Sequence, residues 1–294
     1  MSKVNPRVDL AFKKIFGVEG NEDLLISLVN SIVDEKDQII EATLLNPYNA
    51  KNFKTDKLSI LDIKAKSESG KRYNIEIQVA DEADYDKRAL FYWSKMYTQQ
   101  LQSGDDYSKL NKTIGIHILN FTSITKTDKY HHAFDLTDKY TGIKYFDDIE
   151  LHTIELNKFA KNAKEELSDV VKKVKNALDV WLAFLTRHDL LNKDNLPKEL
   201  DNKYLKKALT VLEVMNFSDA EREEYENRLE WLRIETSALK KAEEKGEAKG
   251  RAEGKAEEKI EMTKKMLADN ESVEKIAKYT DLTEEQIEEL KTEL

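Results

Sequence analysis

The stretch LSILDIKAKSESGKRYNIEIQVA, residues 58–80, reads as two β-strands around a turn. In the first, Leu61, Ile63 and Ala65 alternate with Asp62 and Lys64. In the second, Ile75, Ile77 and Val79 alternate with Glu76 and Gln78. Side chains on a strand alternate with period two, so each polar pair shares one face. Ser69-Gly70 is a hairpin-type turn. If the strands pair across it, the polar residues converge on one side of a sheet and the apolar side packs on helices. Two readings of that polar side are open. One is an ordinary amphipathic hairpin with its charges in water. The other is a site, because two carboxylates with polar neighbours can hold a hard divalent cation through oxygen. Such a cation lowers the pKa of a bound water and neutralises charge building on a phosphate. Aspartate is depleted in strands. Yet Asp62 is flanked by Leu61 and Ile63, and Glu76 stands between two isoleucines.

Outward from this hairpin the chain shows an ordered series of elements. Asn5 as N-cap, Pro6 in the first turn and Gly17 as terminator predict a helix carrying Val8, Phe12, Ile15 and Phe16 on one stripe. A second helix is expected after Asn21, with Leu24, Leu25, Leu28, Val29, Ile32 and Val33 at helical period. IIEATLLN (39–46) is a predicted strand, and the polar loop 46–57 brings Lys51, Lys54 and Lys57 ahead of the hairpin. Residues 84–104 are predicted helical, with Leu90, Phe91, Trp93, Met96, Tyr97 and Leu101 broadly on one side. KTIGIHILNF (112–121) is a nearly continuous apolar run, as a buried strand requires. HHAFDL and ELHTIELNKF read as further strands.

From about Glu165 the pattern is helical throughout: 170–185, 202–215, then a helix opened by the Ser218–Glu221 capping box. Residues 238–261 are of low complexity, with Gly246, Gly250 and Gly254 continuing a row from Ala238 and Ala242. That row is either a narrow stripe for close packing or part of a solvated linker helix, since glycine costs about 1 kcal/mol against alanine. Residues 272–290 resemble a small helix-turn-helix with a Thr283–Gln286 capping box. Its Glu284, Glu285, Glu288 and Glu289 repel phosphates, so packing is the better reading than DNA contact. The expected organisation is an α/β core over 1–160, a helical extension over 161–237, the low-complexity segment 238–261 and a helical tail over 262–294.

The 294 residues carry a net charge of −9 and no cysteine. The first 130 hold 19 basic and 19 acidic residues, so the whole acidic excess lies in 131–294. That argues against coating nucleic acid by charge alone. It leaves room for an enzyme that touches phosphates briefly. No apolar run approaches the ~20 residues of a membrane helix, and none resembles a signal peptide. The expectation is a soluble cytoplasmic protein with no membrane partner.

The pattern Asp62…Glu76-Ile77-Gln78 resembles the PD-(D/E)XK nuclease superfamily. More closely, the chain resembles the Rpn family of recombination-promoting nucleases, also described as PD-(D/E)XK nuclease family transposases. The likeness includes DLAFKKIFG (9–17), residues 58–78, 88–110 and 114–121, and the Gly/Lys/Glu-rich tract near 240–260. A lone D…ExK-type match arises by chance; the ordered series is specific. The resemblance implies a restriction-endonuclease-like mixed sheet flanked by helices and metal-dependent cleavage of DNA phosphodiesters. It makes Asp62 and Glu76 the metal-binding carboxylates, with the Ile77 carbonyl as a further oxygen and Mg²⁺ (or Mn²⁺) as the cofactor. Gln78 stands where the superfamily usually has lysine. Glutamine can orient a water or a phosphate oxygen but supplies no positive charge. Lys64, on the face of Asp62, is the candidate to replace that charge.

Asp9 matches the family's first-helix motif; it is either a third acidic member or a first-turn acid favoured by the helix dipole. Arg88 and Tyr92, four apart on one helix face, are candidates for DNA backbone contact or for packing. The five histidines show no metal-site spacing, and His117 reads as a core histidine. The leading function is a divalent-metal-dependent DNA endonuclease associated with recombination or mobile elements. The alternative is a catalytically inactive nuclease fold used in binding or assembly. The small-residue row and the tail helices are candidates for a homodimer contact.

Overall fold

The computed structural model describes residues 4–48, 62–78, 84–160 and 165–292. The chain divides into two compact units, Met1–Leu232 and Arg233–Leu294.

The first unit is built on a six-stranded mixed sheet. Its strands are β1 (Ala42–Leu44), β2 (Ile63–Ser67), β3 (Arg72–Gln78), β4 (Thr113–Leu119), β5 (His131–Phe134) and β6 (Ile149–Glu155). They lie in the order β1-β2-β3-β4-β6-β5. β3, β4 and β6 run parallel, while β1, β2 and β5 are antiparallel to their neighbours. The β2–β3 hairpin turns where the sequence predicts: Gly70 has φ +90°, and its N–H donates to the Ser67 carbonyl at 3.0 Å. Parallel neighbours cannot be joined by a tight turn. The β3–β4 connection accordingly carries helix α3 (Tyr85–Thr98).

One face of the sheet is apolar. Ile63, Ala65, Tyr73, Ile75, Ile77, Ile114, Ile116, Ile118 and Ile154 all point into the main core. Helices α1 (Asp9–Phe16) and α2 (Glu22–Asn30) cover it with Phe12, Ile15, Phe16, Leu24, Leu25 and Leu28. α4 (Leu156–Phe159), α5 (Leu167–Lys173), α6 (Ala177–Arg187) and α7 (Lys203–Val214) add residues to that same core. Every residue of β4 is buried, as its apolar run requires. The opposite face carries the polar set and is covered by α3, whose Trp93 Nε1 donates to the Thr113 carbonyl at 2.7 Å.

Several local expectations need correction. α1 begins at Asp9 with Val8 as N-cap, and the Asn5 side chain, which accepts from Arg7 N, caps only the turn before it. The 39–46 strand shrinks to Ala42–Leu44. The helix expected over 170–185 is two helices, since Asn176 and Asp179 form a capping box that starts α6 afresh. α3 buries Tyr85, Ala89, Trp93 and Met96, leaving Leu90 and Phe91 exposed. Lys51, Lys54 and Lys57 lie outside the described residues, as do residues 58–61 at the start of the first predicted strand of the hairpin.

A long helix, α8 (Asp219–Ala268), opens at the predicted Ser218–Glu221 box. Its first turns place Tyr225, Leu229 and Leu232 against Val8, Leu10 and Ala11. The second unit contains the rest of α8 with α9 (Val273–Thr280) and α10 (Glu284–Thr292), closed over buried Ile276 and Ile287. The Thr283–Gln286 box is formed. No atom lies within 4 Å of where a Cβ would stand at Gly246, Gly250 or Gly254. These three glycines therefore make no close packing among the described residues.

Candidate active site

Strand register assembles the polar face into a row. Glu76 of β3 lies beside His117 of β4, and His117 beside Thr153 of β6. On the other side Ile63 pairs with Ile75 and Lys64 with Asn74. Asp62, one residue before β2, is therefore level with Glu76 and on its face. The alternation predicts this convergence once the strands pair across the Ser69-Gly70 turn, as they do.

Each carboxylate of the pair has its own cation. Lys64 Nζ lies 3.3 Å from Asp62 Oδ2. Arg88, projecting from α3, places Nη2 3.2 Å from Glu76 Oε1 and 2.6 Å from Gln78 Oε1. Asp62 and Glu76 are only 18% and 16% exposed, so they are reachable from solvent without being fully solvated. Tyr92 sits one turn beyond Arg88, its ring edge-on to that of Phe91.

Beneath Glu76 the support is neutral. His117 Nδ1 hydrogen-bonds the Tyr85 hydroxyl at 2.8 Å and stands 4.0 Å from Glu76 Oε2. Burial, aided by the charges of Arg88 and His152, lowers the His117 pKa to about 4. The imidazole is therefore uncharged at neutral pH and gives Glu76 no ion pair. A Cβ at position 115 would stand 2.8 Å from Leu151 and 3.1 Å from His117 Nε2. Glycine there lets the ring lie in the row. His117 is thus a core histidine, and one that supports the candidate site.

Lys13 is a site residue that the sequence reading missed. It is 1% exposed. Its Nζ donates to the main-chain carbonyls of Asp62 (2.5 Å) and Asn46 (2.8 Å). The Asn46 side chain also donates to the Asp62 carbonyl and accepts from Lys64 N. Desolvation lowers the Lys13 pKa to about 8, against the pull of the Asp62 charge. The signal was present in the motif DLAFKKIFG, where Lys13 is wedged between Phe12 and Phe16 on the buried arc of the helix. Asp9, one turn earlier, has different partners: Leu10 N at 2.7 Å and Arg228 Nε at 3.6 Å. Burial raises its pKa, with Arg228 opposing. α1 delivers Lys13, rather than Asp9, into contact with Asp62.

The donor set suits a hard cation: two carboxylates, an amide oxygen and a main-chain carbonyl. The Gln78 carbonyl accepts from Asn120 N on the β4 side at 3.0 Å. Successive carbonyls of a strand point opposite ways, so that of Ile77 points to the β2 side, where Asp62 stands. Among the described residues no group of three or more His, Cys, Asp or Glu side chains is placed to hold a metal. A cation here would rest on two carboxylates and neutral oxygens, which is the donor balance Mg²⁺ tolerates.

A mixed sheet with parallel central strands and helices on both faces is consistent with a restriction-endonuclease-like fold. A family model for PD-(D/E)XK nuclease family transposases matches residues 6–242, and the chain belongs to that family. Comparison with curated proteins and with solved structures gives no match. The family supports a nuclease, linked to mobile elements and acting on DNA, of a class that generally uses divalent metal. Among the described residues no helix is long and apolar enough to cross a membrane.

Proposed function

We propose that the protein is a divalent-metal-dependent DNA endonuclease, with Asp62 and Glu76 as metal-binding carboxylates, and with Mg²⁺ or Mn²⁺ as the ion. The observation that carries this reading is the placement of Asp62, Glu76 and Gln78 together on one face, at one level of the sheet, with Lys64 and Arg88 beside them. Asp62, Glu76 and the Ile77 carbonyl would hold the ion. Its chemistry is to acidify a water and to neutralise charge on the phosphate.

The chain's own residues divide the remaining work. Lys13 and Asn46 fix the backbone of Asp62, so its carboxylate is pre-positioned. His117 and Tyr85 set the floor under Glu76. Gln78 presents an amide that accepts through oxygen and donates through nitrogen, which suits orienting a water beside the phosphate. Lys64 supplies a positive charge on the face where Gln78 supplies none. Asp9 and Tyr92 are held as accessory candidates, Asp9 through α1 and Tyr92 through the exposed side of α3. A homodimer through the C-terminal helices would suit cleavage of both strands.

The test is nicking of supercoiled plasmid in Mg²⁺, because a closed circle has no end for an exonuclease. Wild type nicks and Asp62→Ala does not. Equal activity of the two proteins overturns the site. Absence of activity in both, together with DNA binding, favours the non-catalytic alternative.

A further inference from the structure

Arg88 occupies an unusual position in this site. One guanidinium nitrogen contacts an oxygen of Glu76 at 3.2 Å and the side-chain oxygen of Gln78 at 2.6 Å. Glu76 is the carboxylate assigned to the metal, and Gln78 is the residue assigned to water and phosphate. The guanidinium thus lies on the functional atoms themselves rather than behind them. Behind them stands His117 of β4, 4.0 Å from Glu76 Oε2 and hydrogen-bonded to the Tyr85 hydroxyl. Arg88 is only partly covered, with 29% of its side chain exposed. It is carried on a helix whose next turn is open to solvent at Leu90, Phe91 and Tyr92.

A guanidinium and a divalent cation repel strongly when both lie within about 4 Å of one carboxylate oxygen. A bidentate planar donor also matches phosphate geometry as well as it matches carboxylate. Resting on the metal reading above, we infer that Arg88 is an exchangeable counter-ion of the site. It competes with the divalent ion for Glu76 and Gln78, and it transfers to a DNA phosphate when the ion enters. The exchange couples the two ligands. DNA that takes Arg88 frees Glu76 for the ion, and the ion that displaces Arg88 frees it for DNA. By linkage each ligand strengthens the other by the same factor. Gln78, neutral where a lysine is usual, fits this arrangement: a lysine there would repel Arg88 instead of accepting from it.

The inference predicts opposite effects from one substitution. Mn²⁺ binding to the full chain is measured by calorimetry for wild type, Arg88→Gln and Arg88→Ala. Both variants bind Mn²⁺ about tenfold more tightly than wild type, because a partly exposed charge-assisted contact no longer has to be broken. Both bind a cleavage-resistant phosphorothioate duplex more weakly, and DNA no longer strengthens their Mn²⁺ binding. Arg88→Lys keeps the charge and restores part of the coupling. A purely supporting Arg88 gives the reverse, with weaker Mn²⁺ binding in both variants, and that result overturns the inference. Unchanged Mn²⁺ affinity also overturns it. Circular dichroism confirms that the variants are folded; Arg88→Gln keeps most of the side-chain volume should Arg88→Ala unfold. Asp62→Ala and Glu76→Ala separate the two levels. If they bind Mn²⁺ as wild type does, the metal reading itself is wrong. If they lose it while the Arg88 variants bind no more tightly than wild type, only the exchange is wrong.

Discussion

Replacing Lys13 with methionine tests how the backbone at Asp62 is held. The ammonium is almost wholly buried and bonded to two carbonyls. Its pKa is about 8 in the fold, against an ordinary lysine value of about 10.4. Between those values the unfolded chain binds more protons than the folded one, so stability must rise with pH. The destabilising effect of burying the charge is fully present below pH 8 and fades as pH approaches the ordinary value. Between pH 7 and pH 9.5 the relief amounts to about 2 kcal/mol. Methionine keeps the stem and removes the titration. Urea denaturation at the two pH values, for wild type and Lys13→Met, isolates the effect from all other groups. Wild type should gain about 2 kcal/mol on the variant as the pH rises. A gap that stays constant, or that moves the other way, refutes the claim that this lysine is desolvated beneath Asp62. At fixed pH the variant should also cleave more slowly, since Asp62 loses a main-chain anchor.

Two further substitutions test the frame that carries the site. Lys112 Nζ is bonded to Asp37 and Glu150 at 2.7 Å each, in a buried network continued by His152 and His131. Lys112→Ala removes the cation these two carboxylates share, leaving Asp37 only Lys71 at 2.8 Å and Glu150 only His152 at 2.8 Å, and should cost about 3 kcal/mol, seen as a fall in Tm of roughly 10 °C. A fall under 2 °C would show the network to be solvated. Asn176→Ala removes the cap that starts α6 and should cost about 1 kcal/mol, with urea denaturation as the readout. No change would mean that packing alone sets that helix start.

Much of the site was legible because its signals are local. Alternation placed Asp62 and Lys64 on one face and Glu76 and Gln78 on another strand's matching face. The turn at Gly70 fixed the pairing that brings them together. β4 was legible from its nearly continuous apolar run, as a strand covered on both faces shows. Contacts across long sequence separations were not legible. Lys13 meets Asp62 across 49 residues, and Lys112 meets Asp37 across 75. No periodicity encodes such distances. The covered face of α3 was misread for a different reason: Leu90 and Phe91 satisfy helical periodicity, but the sheet receives Tyr85, Ala89, Trp93 and Met96, a stripe that admits an alanine where α3 comes close to β4. The split between α5 and α6 was carried by a single capping residue inside an otherwise continuous apolar pattern.

The proposed function makes Asp62 and Glu76 act together as the carboxylates of a metal-dependent nuclease. It is tested most directly by nicking rates of supercoiled plasmid for wild type, Asp62→Asn and Glu76→Gln, each in Mg²⁺ and in chelator. These substitutions keep size and remove charge. Wild type should nick in Mg²⁺ only, and each variant should fall by at least about a hundredfold, the scale of losing a group that stabilises transition-state charge. Nicking by both variants at the wild-type rate, or nicking by wild type that persists in chelator, would contradict it.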